Sequence, residues 1–228
     1  VNSSFKWLTH QIVMVFLLAC MSLAVNTLIV GPAWSQKTTV PSVTPTSTLL
    51  VLGDSLSAEY GLARGTGWVA LLEKRLATDG LPWRVVNASI SGETTAGGQT
   101  RLAQLLKVHQ PKVVVIELGA NDALRGLQLQ ATEKNLRSMI QASKNIGAKV
   151  LVLGMRIPPN YGQDYTTQFF NLFGKVAKSE NVAHVPFFLD RVALKMELFQ
   201  VDRIHPNEKA QPILLGNVLP QLQLLLKP

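Results

Sequence analysis

Along this chain, short, wholly apolar blocks alternate with longer stretches in which apolar residues recur at helical spacing. Leu49-Leu-Val-Leu52 is stopped by Gly53 and reads as a strand buried on both faces. Trp68, Val69, Leu72 and Leu76 form a helical stripe that ends at Asp79-Gly80-Leu81-Pro82. Arg84–Asn87 is a second strand. Leu102, Leu105 and Leu106 mark a helix stopped near Pro111. Val113–Ile116 is a third strand, Leu136, Met139 and Ile140 mark a helix ended by Gly147, and Val150–Leu153 is a fourth strand. Phe169, Leu172, Phe173 and Val176 mark another helix, His184-Val185 begins a short fifth strand, and residues 208–226 close the chain as a helix bent or interrupted around Pro212 and Pro220. Strands apolar on both faces, alternating with helices, predict an α/β three-layer αβα sandwich around a parallel sheet. In such sheets functional groups gather past the C-terminal ends of the strands. That singles out loops 53–57, 88–93, 119–123 and 154–162 and the segment 202–205.

The first part of the chain follows another pattern. Residues 1–53 contain no acidic residue, and Ile12–Val25 is a continuous apolar run followed by Leu28-Ile-Val30, Pro32 and Ala33-Trp34-Ser35. A basic start, an apolar core and small residues two apart predict a secretory signal cleaved after Ser35. An uncleaved anchor through residues 12–30 and a lipoprotein processed at Cys20 are the rival readings. Residues 36–48 (QKTTVPSVTPTST) read as a solvated Thr/Ser/Pro linker, leaving 49–228 as one domain in an exported, periplasmic or secreted protein. With 47% hydrophobic and 16% charged residues, the chain is too apolar to be disordered. A single Cys excludes an intrachain disulfide, and the four scattered His residues (His10, His109, His184, His205) offer no ligand-spaced cluster, so no metal site is expected. The net charge of +8 reads mainly as a solvated surface, with peripheral contact to anionic lipid as the alternative; no nucleic-acid motif is present.

Chemistry concentrates in four of the strand-end loops: Gly53-Asp-Ser-Leu-Ser57, Ser91-Gly-Glu-Thr94, Gly119-Ala-Asn-Asp122 and Asp202-Arg-Ile-His-Pro206. A neutral serine needs an adjacent base. His205 has a carboxylate three residues before it, so Asp202 can hold one imidazole nitrogen while the other takes the Ser55 proton. An oxyanion formed by that attack needs waiting donors. The Ser55 and Gly92 backbone N–H groups and the Asn121 amide are the candidates. Asp54 and Asp122 read as turn supports, the latter of Asx type. Gly97-Gly98 is followed by no phosphate-binding Lys-Ser/Thr, and the G-x-S-x-G elbow is absent around Ser55.

Taken in order, GDSLS, the glycine of SGET, GAND and DRIHP resemble the four signature blocks of the GDSL or SGNH hydrolases, over roughly Thr48 to Leu226. Val86–Gly92, Glu117–Gly126, Arg156–Gly162 and Ile204–Asn207 resemble the bacterial acyl-CoA thioesterase, lysophospholipase and arylesterase subgroup. The resemblance implies a flavodoxin-like five-stranded sheet of order 2-1-3-4-5 and no cofactor. It implies a Ser55–His205–Asp202 triad with Ser55, Gly92 and Asn121 as oxyanion donors. It further implies substrate contacts from a covering loop (Ala123, Leu124, Arg125, Gly126) and from Arg156, Ile157, Pro158 and Tyr161. Ala120 stands where the subgroup often has a second glycine.

The expectation is therefore a monomeric serine esterase acting on small-molecule or lipid esters and thioesters through an acyl-enzyme on Ser55. A carbohydrate or peptidoglycan O-acetylesterase is the alternative within the hydrolases, and a catalytically silent lipid- or glycan-binding module the alternative outside them.

Overall fold

The computed structural model describes residues 45–227. The expected signal, its cleavage site and most of the linker lie outside the described residues. Strand β1 spans Ser47–Gly53, so Ser47 and Thr48, which the sequence placed in the expected linker, pair with the neighbouring strand.

The other strands are β2 (Trp83–Asn87), β3 (Val113–Glu117), β4 (Lys149–Leu153) and β5 (Ala183–Val185). All pair in parallel, in the order β2-β1-β3-β4-β5. The central strands are the wholly apolar ones: Leu49–Leu52 and Val113–Ile116 have no exposed surface. Burying one such side chain contributes about 1.5–3 kcal/mol, so these runs anchor the core.

Six α-helices complete the domain: α1 (Trp68–Thr78), α2 (Thr95–His109), the one-turn α3 (Ala120–Leu124), α4 (Leu129–Asn145), α5 (Gln163–Glu180) and α6 (Gln211–Leu226). Helices α2, α4 and α5 pack side by side on one face of the sheet, and α1 and α6 on the other. The amphipathic stripe of α4 is clear: Leu136, Met139 and Ile140 are buried, while Glu133 and Arg137 point outward and bridge to Lys175 and Glu180 of α5. Helices α2 and α5 end on Gln110 and Asn181 in the left-handed region, a common way to stop a helix without glycine.

One helix starts earlier than its apolar stripe shows, and one sequence expectation changes. Helix α2 begins at Thr95, well before its leucines, capped by the Thr94 side chain accepting from the Gly97 N–H at 3.3 Å. Gly97 and Gly98 are therefore helical. A Cβ at Gly98 would press on Leu118 Cδ1, so this glycine lets α2 lie close over the end of β3. The last helix is not interrupted. Pro212 sits in its first turn, where no hydrogen bond is lost. Pro220 lies inside it, but Leu214, Val218, Leu222 and Leu226 are buried on both sides, and that packing carries the helix across the missing bond.

The chain leaves β1 to one side for β2 and returns on the other side for β3. The crevice therefore opens between the ends of β1 and β3, where Gly53 pairs with Glu117. The turns 54–60 and 118–122 emerge side by side at this point.

Candidate active site

After β1 the chain turns sharply, with the Ser57 and Ala58 N–H groups both donating to the Asp54 carbonyl. The turn lifts Ser55 to the surface of the crevice and sends the Asp54 side chain inward. Between the short 3₁₀ turns Met196–Leu198 and Glu208–Ala210 the chain makes a tight hairpin, closed by the antiparallel bridge Phe199–Pro206. Asp202 and His205 sit on its tip.

The two turns meet. His205 Nε2 lies 2.9 Å from Ser55 Oγ, and His205 Nδ1 lies 2.7 Å from Asp202 Oδ2. The other carboxylate oxygen of Asp202 accepts from the N–H groups of Ile204 (2.9 Å) and His205 (3.0 Å). Partial burial alone would raise the Asp202 carboxyl; these N–H groups and the imidazole outweigh it and bring it down to about 2. Ionised Asp202 can only accept, so Nδ1 carries the hydrogen and Nε2 is left to accept from the serine hydroxyl. The Tyr60 ring covers His205, centroid to centroid 4.4 Å.

Gly92 follows β2 with φ +76°, and its segment is held by Arg101, which bonds Glu93 Oε2 at 2.8 Å and the Ala88 carbonyl. Among the described residues, neither the Ser55 nor the Gly92 N–H has an acceptor. Asn121, on the one-turn helix after β3, donates from Nδ2 to Asp54 Oδ2 and to the Glu93 carbonyl, each at 3.0 Å. Its amide thus joins all three crevice segments. Asp122 is not an Asx support of its own turn. It is buried and accepts from the Thr95 N–H (2.8 Å), the Thr95 hydroxyl and the Thr132 hydroxyl (3.2 Å), tying α3 to the starts of α2 and α4. The N-terminus of α2 favours this carboxylate.

Two carboxyls lie beneath the crevice. Glu117 Oε2 accepts from the Asp54 N–H (3.2 Å) and from Ser57 Oγ (2.8 Å), and Ser57 Oγ accepts from Trp68 Nε1 at 3.1 Å. Burial, and then the charge of Asp54, push Glu117 well above the usual carboxylate range. Burial also lifts Asp54 to about 6, against the opposing pull of Leu56 N–H, Glu117, His205 and Asn121. Both carboxyls are thus pushed towards the neutral form, and the buried pair resists carrying two charges. From the sequence Asp54 reads only as a turn support, a role its acceptance from Leu56 N–H at 3.0 Å fits, and neither Glu117 nor Tyr60 stands out. The available signal was a charged residue closing the otherwise apolar run Val113–Leu118.

The expected substrate contacts divide. Arg125 and Gly126 are exposed beside the crevice, Arg125 Nη2 donating to the Gly92 carbonyl at 2.9 Å, and Leu124 is half-buried next to them. Pro158 and Tyr161 are exposed on the neighbouring loop. Ala123 and Ile157 are corrections: both side chains are buried against the core, Ala123 on α3 and Ile157 on the loop that follows β4. Arg156 is also committed elsewhere, its guanidinium lying over the Phe170 ring at 3.9 Å and near Phe187 at 5.2 Å. His184 lies on β5, on the far edge of the sheet, where burial lowers its pKa, and His109 ends α2; neither reaches the crevice. No group of His, Cys, Asp and Glu among the described residues could hold a metal.

Residues 51–212 match the GDSL-like lipase/acylhydrolase family. The chain is 54% identical to esterase TesA of Pseudomonas aeruginosa over 179 residues, covering 78% of this chain and 89% of that protein. It is 46% identical to thioesterase 1/protease 1/lysophospholipase L1 of Escherichia coli K12 over 176 residues, covering 77% and 83%. A crystal structure of TesA superposes with a TM-score of 0.77 at 54% identity, covering 78% of this chain and 99% of the other. The chain is a member of the GDSL-like lipase/acylhydrolase family.

Proposed function

We propose that this protein is a serine hydrolase of acyl esters and thioesters in which Ser55 carries the acyl group. One observation carries the reading: Ser55 Oγ sits 2.9 Å from an imidazole nitrogen whose partner nitrogen is held by Asp202. Ser55 Oγ attacks the carbonyl carbon as its proton passes to His205 Nε2. The developing oxyanion takes the free N–H groups of Ser55 and Gly92, and Asn121 turns one amide hydrogen from the Glu93 carbonyl towards it. Collapse expels the alcohol or thiol, which takes the proton from His205. Water, deprotonated by the same imidazole, then releases the acid and restores Ser55.

The surroundings favour apolar acyl groups. Tyr60, Ile90, Val201 and Ile204 are all at least half exposed, and each lies on a segment that carries a reacting group. Leu124, Arg125, Gly126, Pro158 and Tyr161 are the remaining candidates for substrate contact, and the same apolar rim supports peripheral contact with a lipid surface. Among the described residues no helix is long and apolar enough to cross a membrane. Export rests on the pattern of residues 12–35, and mass spectrometry of the secreted chain should find Gln36 at its N-terminus.

The test is a series of p-nitrophenyl esters from acetate to palmitate. Wild type should turn over chains longer than acetyl, and Ser55→Ala should abolish turnover throughout. Equal rates for the two proteins would refute the reading, and activity confined to acetyl esters would favour an O-acetylesterase.

A further inference from the structure

The two catalytic turns come from opposite ends of the domain, and neither belongs to the sheet. Something must hold them in register to within a hydrogen bond. The half-buried amide of Gln200, five residues before His205, spans the gap. Its Nε2 donates to the Tyr60 carbonyl at 2.8 Å, on the turn that follows Ser55, and to the Pro206 carbonyl at 3.2 Å, just after His205. Its own backbone N–H donates to the His205 carbonyl at 2.8 Å, and its carbonyl accepts from Arg203 N–H at 3.0 Å, closing the turn that bears Asp202. Two facing carbonyls fix which end of the amide is the donor. The opposite turn is shaped to admit this side chain. Gly61 has φ +69°, and a Cβ there would run into Gln200 Oε1.

We propose that Gln200 is a positioning residue for the reaction: its amide clips the Ser55 turn to the Asp202–His205 hairpin, and so sets both the Ser55–His205 contact and the seat of Tyr60 on the imidazole. This rests on the assignment of Ser55 and His205 made above. The clip is made by a donor facing two acceptors, so its chemistry can be inverted without changing its shape. Gln200→Glu puts a carboxylate oxygen against the Tyr60 and Pro206 carbonyls. Loss of two ordinary hydrogen bonds from the reactive arrangement corresponds to about ten-fold in rate.

The experiment measures kcat, KM and melting temperature of the full chain with p-nitrophenyl butyrate from pH 5 to pH 8, for wild type, Gln200→Glu, Gln200→Ala, Gly61→Ala and Ser55→Ala. At pH 8, Gln200→Glu should lower kcat at least ten-fold with KM within two-fold. Its deficit relative to wild type should shrink towards pH 5, as a carboxyl that faces two carbonyl oxygens takes up a proton more readily than a free one and so regains a donor. Gln200→Ala and Gly61→Ala should lower kcat at every pH, with no recovery. A kcat near wild type in Gln200→Glu or Gln200→Ala would overturn the proposal. So would a pH-independent loss in Gln200→Glu that falls in step with melting temperature, because that marks a merely structural residue. Should Gln200→Glu fail to fold, the kcat-against-KM split in Gln200→Ala decides. Full activity in Ser55→Ala would instead remove the catalytic assignment on which the proposal stands.

Discussion

Asn121 illustrates how little freedom a single side chain has at this site. Both hydrogens of its amide are engaged, one by Asp54 and one by the Glu93 carbonyl, so an oxyanion must compete for one of them. Competition of that kind favours the transition state, where the charge is greatest, over the bound ester. Asn121→Ala should accordingly lower kcat about 10²–10³-fold with little change in KM, as measured by steady-state kinetics. Glu117 makes a different prediction. Its folded-state pKa is raised by burial and by Asp54, so the folded protein holds a proton that the unfolded chain releases above the ordinary value of 4.5. The stabilisation is present in acid and is lost as pH rises. Glutamine copies the protonated acid, accepting from Asp54 N–H and Ser57 while donating towards Asp54. In urea titrations Glu117→Gln should therefore be close to wild type at pH 4 and more stable than wild type at pH 8.

At the scale of elements, the strands set the positions and the connections supply the chemistry. Pairing of Gly53 with Glu117 brings the serine turn beside the asparagine turn, and α2 seals them from one face through the close approach of Gly98 to Leu118. Gly98→Val should lower stability by about 1–3 kcal/mol in urea unfolding, because the added methyls have no room above the end of β3. These elements were largely legible in the sequence. The apolar runs of β1, β3 and β4 are four residues long and bounded by Gly or polar residues, which marks them as buried strands, and the apolar stripes of α1 and α4 recur at helical spacing. Less legible were features decided by tertiary contact. Thr95 starts α2 because Asp122, far along the chain, receives its N–H and hydroxyl. Helix α6 runs through Pro220 because its apolar face is buried on either side. The Ser55, Asp202 and His205 motif could be read from spacing and resemblance. Gln200, Tyr60 and Glu117 could not, because their roles depend on partners distant in sequence.

For the whole molecule, the carboxyls divide into two classes with opposite responses to pH. Asp202, lowered to about 2, contributes stability that is complete above its unfolded value of 3.8 and is lost as pH falls through about 2. Its partial exposure keeps that contribution small. Asp54, raised to about 6, acts in the other direction: its contribution is complete below 3.8 and is lost as pH rises through about 6. The urea midpoint of the wild-type protein should therefore peak near pH 4, falling as pH drops towards 2 and again as pH rises through about 6. At neutral pH the fold thus carries a buried, partly ionised pair directly under Ser55, a cost borne at the site rather than in the core. Acyl transfer at this site requires Ser55 Oγ to be the atom that bonds to substrate. The most direct measurement treats the protein with a p-nitrophenyl phosphonate ester and locates the adduct by peptide mass spectrometry. One equivalent should appear on the peptide containing Ser55, hydrolysis should cease in proportion, and His205→Asn should slow the labelling by orders of magnitude. An adduct on any other residue, or hydrolysis that persists with Ser55 fully modified, would contradict the account.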